Sequence, residues 1–262
     1  MKRKSHNVKA VVFTDLDGTI LDEKYDWRSV QPMISELLAL DAAVVFCSSK
    51  TRAEIEFYRK AIGIGDPFAV ENGSAIFIPK GYFTTSYAFS RQTYNYNVIE
   101  LGVPYSAVRK ALTHAKRTLS AEIVGFGDMT VVEAAKETGL PLRLARLAKQ
   151  REYDEPFQIL KGDEQEVLTA IGKEGLSCTR GNRYFHAFGN TDKGKATAAL
   201  RDLYAREFGE IATFGVGDSH NDLPMLKEVD TPFFIREGEH ENTRVAVWRK
   251  ILCLVAGNGH RH

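Results

Sequence analysis

The side chains best suited to chemistry are two sets of aspartates, each just beyond an apolar run. Val11-Val12-Phe13-Thr14-Asp15-Leu16-Asp17-Gly18-Thr19 puts two carboxylates two residues apart on a turn that contains a glycine. If the run is a buried strand of an open α/β sheet, the pair stands at the carboxyl end of the strand, where such sheets bind ligands. One carboxylate there could be a nucleophile while its neighbour, its pKa raised by the adjacent negative charge, moves a proton. A lone Asp-x-Asp is also an ordinary solvated turn, with Thr19 as a local cap. Phe214-Gly215-Val216-Gly217-Asp218-Ser219-His220-Asn221-Asp222 repeats the arrangement far downstream. Asp218 or Asp222 alone could cap a helix; two acidic strand ends side by side would make an oxygen-rich site suited to a hard cation such as Mg²⁺. His220 reads as an exposed loop residue. Ser48, after the run Ala42 to Cys47, offers a phosphate a hydroxyl and a nearby N–H, or is simply a turn residue. Lys193 could set a cation against developing charge, or sit solvated on a first helical turn.

These residues need a frame, and the pattern of the chain supplies one. Short apolar runs at Ala10 to Phe13, Ala42 to Cys47 and Ile211 to Val216 alternate with amphipathic stretches, as in parallel strands joined by crossover helices. Val30, Ile34, Leu37 and Leu38 mark one face of a helix. Thr51-Arg52-Ala53-Glu54 has the spacing of a capping box, Ile55, Tyr58 and Ile62 follow on one face, and Gly63 is a stop. Asp192 caps a later helix carrying Ala196, Leu200 and Leu203, which Gly209 ends. The middle differs. An aromatic, polar stretch from about Tyr82 to Arg91 precedes helical patterns at Ser106 to Leu119, Thr130 to Thr138 and Asp163 to Ile171, with strands at Phe157 to Leu160, Leu176 to Cys178 and Tyr184 to Phe188. The expected architecture is a doubly wound parallel α/β core, residues 1–84 and 187–262, interrupted by an α+β module at 85–186.

Composition excludes other classes. Across 262 residues, 35 Lys+Arg against 34 Asp+Glu argue against a polybasic nucleic-acid binder. No run of about 18 apolar residues marks a membrane span, and the basic start Met1 to His6 lacks the apolar core of a signal peptide. Cys47, Cys178 and Cys253 form no paired motif, so a reducing cytoplasm is the expected setting. No Gly-x-Gly-x-x-Gly follows the first strand, against a nicotinamide-binding domain.

Asp-x-Asp-Gly-Thr at 15–19, the strand-terminal Ser48, Lys193 and Gly-Asp-Ser-x-Asn-Asp at 217–222 resemble, in order and spacing, the haloacid dehalogenase superfamily. Glu71-Asn72-Gly73 ahead of the insertion is similar to members with a type-IIB cap. The resemblance implies Mg²⁺-dependent phosphotransfer through a covalent aspartyl-phosphate. Asp15 would attack phosphorus; Asp17 would protonate the leaving oxygen and then deprotonate the hydrolytic water. Mg²⁺ would rest on Asp15, the Asp17 carbonyl and Asp218, with Asp222 ligating or steering a ligand water. Ser48, Lys193 and loop amides would hold the phosphoryl oxygens, and Asn221 would position Lys193 or the neighbours of Ser48, unless it is a helix cap.

Three local patterns look like the mannosyl-3-phosphoglycerate phosphatases within that superfamily: Cys47-Ser48-Ser49-Lys50-Thr51, the segment Arg151 to Phe157, and Gly181-Asn182-Arg183-Tyr184-Phe185-His186. Ser49 stands where the family has a smaller residue, which bears on phosphate contacts; Ser49 and Lys50 are counted with Ser48 as substrate-binding. Arg151 and Arg183 are candidates for a glycerate carboxylate, since a guanidinium grips one with two prongs; Glu152, Glu155 and His186 could meet sugar hydroxyls. A surface ion pair is the alternative for each. The expected partner is a small phosphorylated sugar acid, with neither nucleic acid nor membrane. Other phosphatases of the capped group, for glucosyl-phosphoglycerate or sucrose-phosphate, and a phosphomannomutase stay open. A phospho-accepting receiver module is a non-enzyme alternative, but it needs neither Asp17 nor the insertion.

Overall fold

A computed structural model describes residues 8–181, 183–236 and 241–258. The basic start and Asn182 of the Gly181 to His186 pattern lie outside the described residues. The chain opens with β1 (Ala10–Thr14), α1 (Gln31–Ala39), β2 (Ala42–Cys47), α2 (Arg52–Ile62), β3 (Phe68–Val70), β4 (Ala75–Pro79), β5 (Arg91–Gln92) and β6 (Tyr96–Glu100). It continues through α3 (Tyr105–Leu119), β7 (Glu122–Gly125), α4 (Val131–Thr138), α5 (Leu142–Ala148), β8 (Glu155–Lys161), α6 (Glu164–Lys173), β9 (Ser177–Arg180) and β10 (Phe185–Phe188). It closes with α7 (Lys193–Phe208), β11 (Ala212–Gly217), α8 (Leu223–Leu226), β12 (Thr231–Phe234) and α9 (Glu241–Asn258).

Eight strands form one sheet in the order β12-β11-β1-β2-β3-β4-β6-β5, parallel from β12 to β3 and antiparallel beyond. Both faces of its centre are covered, which is why β1 and β2 read as unbroken apolar runs. Val12, Val44 and Phe46 point to one face, against Ile34 and Leu37 of α1, Ile55 and Tyr58 of α2, and Trp248 and Ile251 of α9. Val11, Phe13 and Val45 point to the other, against Ala196, Leu200 and Tyr204 of α7. This is the doubly wound α/β architecture expected from the sequence. The Thr51/Glu54 capping box opens α2, and Asp192 caps α7 by accepting the Lys195 N–H at 2.8 Å.

The second sheet, antiparallel β7-β8-β10-β9, belongs to the inserted module. Its helix-facing side buries Phe157 and Ala187 against Val108 and Leu112 of α3 and Val167 and Ile171 of α6. By strand alternation Pro156 and His186, paired across β8 and β10, face the opposite way, toward the large sheet.

Strands β5 and β6, inside the segment 85–186, lie in the large sheet. Tyr96 to Glu100 pair with β4, Val98 is fully buried, and the Tyr96 ring meets Phe68 and Phe77 edge-on at 5.4 and 5.7 Å. The aromatic stretch carries no strand before Arg91; the hairpin of β5 and β6 that follows it extends the core, and the passage into the second layer falls after Glu100, not at residue 85. Among the described residues no helix is long and apolar enough to cross a membrane.

Trp248 ties the last helix to the turn after β1: it is fully buried and its Nε1–H donates to the Thr19 carbonyl at 3.0 Å. Trp248→Phe leaves that carbonyl without its donor and should cost about 2 kcal/mol in urea unfolding. An unchanged unfolding midpoint would show that the bond does not hold the turn.

Candidate active site

Parallel pairing brings the two acidic strand ends together. Thr14 of β1 lies opposite Val216 of β11, and the Asp15 N–H continues the ladder by donating to the Val216 carbonyl at 3.0 Å. Asp218 follows β11 immediately. The chain turns after Asp17 at Gly18, whose φ of +69° and closeness to the Asp218 carboxylate leave no room for a Cβ. From the first turn of α7 the Lys193 ammonium reaches into the same space. It lies 3.1 Å from Asp15 Oδ1 and 2.6 Å from Asp222 Oδ1, with its side chain fully buried. The second oxygen of Asp222 accepts the N–H groups of Asp218 and Ser219, each at 3.0 Å, and the Ser219 hydroxyl at 3.2 Å.

The charges do not balance. Carboxylate oxygens of Asp15, Asp218 and Asp222 lie within 4.8 Å of one another, with one ammonium among them. Burial raises Asp15 to about 6 against the pull of Lys193, with Asp222 and Asp17 adding to the rise. Burial, then Asp15 and Asp222, raise Asp218 to about 8. Lys193 responds in the opposite sense: burial disfavours its charge, but Asp15 and Asp222 outweigh burial and hold it well above the usual lysine range. Asp15 Oδ1 is buried and makes no hydrogen bond of good angle despite its closeness to Lys193. An excess of hard oxygen donors with an unsatisfied buried oxygen fits a divalent cation, and Asp15, Asp218 and Asp222 are the residues that would hold it.

Asp17 is half-exposed, and its Oδ2 is 2.9 Å from the Lys50 ammonium, which is also 3.8 Å from Glu54. Lys50 lies over the Tyr25 and Tyr58 rings at 5.4 and 5.9 Å. Burial disfavours its charge as well, and Asp17 and Glu54 overcome it. Ser48 is fully buried, and its Oγ accepts the Lys50 N–H at a long 3.4 Å, the pattern of a local turn.

A cavity of about 280 Å³ separates the acid centre from the inserted module. Asp15, Asp17, Ser49, Lys50 and Asp218 of the core line it together with Arg151, Arg183 and His186 of the inserted module. Arg151 is held by the Ala148 carbonyl on Nε at 3.0 Å and the Ser49 carbonyl on Nη1 at 2.8 Å. Arg183 lines the cavity, yet its guanidinium donates to the Glu137 and Thr138 carbonyls at the end of α4 at 2.6 and 3.1 Å. His186 directs Nδ1 at Asp154, 2.9 Å away.

Two expectations fail, for Glu152 and Glu155. Glu152 does not face the cavity: its carboxylate is taken by Arg52 at 2.7 Å and Arg91 at 3.0 Å, on the core side. The preceding residue already points inward, and Glu71 holds the backbone between them by accepting the N–H groups of Glu152, Tyr153 and Asp154 at 3.0, 2.8 and 2.7 Å. Asn221 does not bond Lys193, but it holds a neighbour of Ser48, as expected: its Nδ2 donates to Asn72 Oδ1 at 3.0 Å, and the Asn72 N–H donates to the Ser48 carbonyl at 3.1 Å. Glu155, another candidate for sugar contacts, is buried and committed to Arg109 and Tyr105, both at 2.6 Å. Asn72 and Asp154 went unread as site residues. The one sequence signal was Asn72 beside Gly73, a pair able to take the left-handed backbone that Glu71, Asn72 and Gly73 adopt in succession, with φ of +48°, +60° and +80°.

A doubly wound sheet whose paired acidic strand ends face an inserted module across a cavity has the form of a carboxylate-centred hydrolase. The haloacid dehalogenase-like hydrolase family model matches residues 12–248, and the chain belongs to that family. It is 43% identical over 234 residues to the glucosyl-3-phosphoglycerate/mannosyl-3-phosphoglycerate phosphatase of Methanococcoides burtonii, covering 88% of this chain and 86% of that one. It is 42% identical over 236 residues to the mannosyl-3-phosphoglycerate phosphatase of Pyrococcus furiosus, covering 88% of this chain and 93% of the relative. A solved subclass IIB sugar phosphatase superposes with a TM-score of 0.60 at 16% identity, covering 91% of each chain, so the fold is shared.

The raised carboxyls make cation binding depend on pH. From the ordinary 3.8 up to about 6 for Asp15 and about 8 for Asp218, the metal-free folded protein keeps protons that the unfolded chain has released. Its stability therefore falls as pH rises through that window. A divalent cation binds the ionised carboxylates and displaces those protons. The Tm gain on adding Mg²⁺ should be larger at about pH 8 than at about pH 6, and calorimetry near pH 7 should show proton release. Equal gains without proton release would mean that the cation binds elsewhere.

Proposed function

We propose that this chain hydrolyses mannosyl-3-phosphoglycerate to mannosylglycerate and phosphate through an aspartyl-phosphate on Asp15. The observation that carries the reading is the buried centre of Asp15, Lys193, Asp218 and Asp222 beside a cavity that Arg151 also lines. The names of the relatives at 42–43% identity supply the substrate. The four-stranded module is, in this reading, the substrate-selecting cap, and a cytoplasmic location fits the three unpaired cysteines.

The acid centre does the chemistry with few parts. An oxygen of Asp15 attacks phosphorus as the bond to the glycerate oxygen breaks, and Asp17 gives that oxygen its proton. Asp17, now a base, takes a proton from the water that attacks the aspartyl-phosphate, and Asp15 is regenerated with release of phosphate. Lys193, 3.1 Å from Asp15, favours its charged, nucleophilic form, and its positive charge would stand beside the phosphorus that Asp15 attacks. Mg²⁺ on Asp15, Asp218, Asp222 and the Asp17 carbonyl would supply further neutralisation of the phosphoryl oxygens. Ser49 and Lys50, which line the cavity, would meet the phosphoryl group. Arg151 uses Nε and Nη1 to anchor itself, which leaves Nη2 for the carboxylate of the sugar acid.

Glucosyl-3-phosphoglycerate is a second substrate of the same kind, since the Methanococcoides burtonii relative is named for both. Phosphate release from the two compounds, from sucrose phosphate and from mannose 6-phosphate, with Mg²⁺ and with chelator, tests the assignment. Turnover of the sugar acids that vanishes with chelator and returns with Mg²⁺ supports it. Preference for mannose 6-phosphate, or full activity in chelator, contradicts it.

Two variants divide the site. Asp17→Asn should lower kcat by about 10²-fold or more, because it removes the acid and base and spares the nucleophile. Arg151→Ala should cost on the order of 2 to 5 kcal/mol in kcat/KM on the sugar acid. The loss should be distinctly smaller on nitrophenyl phosphate, which has no carboxylate to place. Equal losses on the two substrates would make Arg151 a prop for the cap and not a substrate contact.

A further inference from the structure

A chain of polar side chains runs from the acid centre across to the imidazole of His186. The Ser219 hydroxyl donates to Asn221 Oδ1, Asn221 Nδ2 donates to Asn72 Oδ1 at 3.0 Å, and Asn72 Nδ2 donates to Asp154 Oδ2 at 2.7 Å. Asp154 Oδ1 meets His186 Nδ1 at 2.9 Å. A carboxylate can only accept, so Nδ1 carries the hydrogen, and in the neutral ring Nε2 is left as an acceptor. That nitrogen has somewhere to point. His186 lines the cavity, and its Nε2 edge passes Gly181, another wall residue, where a Cβ would sit 3.7 Å away. Asp154 itself is fully buried, with the Arg151 guanidinium 3.5 Å away to balance its charge. A buried carboxylate that meets a ring nitrogen with both oxygens, at 2.9 and 3.1 Å, and accepts an amide from the opposite layer on one of them is costly to keep for packing alone.

We infer that Asp154 is a positioning residue for substrate recognition: it holds His186 in the Nδ1–H tautomer and aims Nε2 into the cavity as an acceptor for a hydroxyl of a phosphorylated sugar acid. Asn72 ties this pair to the Asn221 turn beside the acid centre, so the recognising nitrogen and the reacting carboxylates keep one spacing. The inference rests on the sugar-acid reading for its ligand, and its structural half stands apart from that reading.

The test combines a tautomer measurement with kinetics. Long-range ¹H–¹⁵N spectra, with the His186 signal assigned through His186→Gln, should show Nδ1–H in the neutral ring of the wild type. Asp154→Ala should move the ring to Nε2–H and raise KM for mannosyl-3-phosphoglycerate on the order of tenfold, with a clearly smaller loss on nitrophenyl phosphate. Asp154→Asn can still accept from Nδ1 once the Asn72 and Asn221 amides turn over, and should keep the Nδ1–H tautomer with KM within about threefold of wild type. An Nε2–H ring in the wild type overturns the inference even if Asp154→Ala does not fold. So does an Asp154→Ala protein that keeps Nδ1–H or loses equally on both substrates. A wild type that ignores the sugar acid but shows the expected tautomers would instead refute the substrate reading.

Discussion

A single buried ammonium carries the arrangement of this molecule. Lys193 would be expensive to desolvate alone, and Asp15 and Asp222 would repel each other if it were removed; together they make a network that burial strengthens. Meeting that condition takes three separate elements. β1 and β11 must be neighbours for Asp15 and the Asp218 turn to stand side by side, and α7 must start where its first residue can reach both. Close contacts enforce this: a Cβ on Gly194 would sit 2.7 Å from the Pro224 carbonyl, so α7 packs against α8 through the backbone. The same network leaves an excess of carboxylate, which is the charge state a phosphoryl site needs before its cation arrives.

The second constraint is the weld between layers. Glu71 accepts three consecutive N–H groups of the 152–154 segment, Thr51 donates to the Leu147 carbonyl at 3.0 Å, and Arg151 reaches the Ser49 carbonyl. This part of the inserted module is hydrogen-bonded to the loops that follow β2 and β3. Left-handed backbone at Glu71 and Asn72 costs energy in non-glycine residues. The hydrogen bonds made by both side chains offset that cost.

What could be read from the sequence was local. The Thr51/Glu54 capping box, Gly63 and Gly209 as stops, and the apolar runs of β1 and β2 depend on neighbours within a few residues, and they delimit the elements that bear Asp15, Ser48 and Lys193. Strands β3 and β5 are three and two residues long, and segments that short have no periodicity to detect. The inward and outward directions of Arg151, Glu152 and Asp154 follow no strand or helix period either. They are set by Glu71, some eighty positions away, and contact at that separation leaves no trace in spacing. Asn72 and Asp154 were hidden for the same reason: each acquires its role only through the other.

The central claim is that Asp15, whose charged form Lys193 favours, is the residue to which the phosphoryl group is transferred. Turnover of mannosyl-3-phosphoglycerate with Mg²⁺ can be quenched in acid, reduced with borohydride, which converts an acyl phosphate of aspartate to homoserine, and mapped by peptide mass spectrometry. The account predicts homoserine at position 15 in samples quenched during turnover and none in samples without substrate. Reduction at Asp17 or Asp218 instead, or stable phosphate on a serine or histidine with Asp15 untouched, would contradict it.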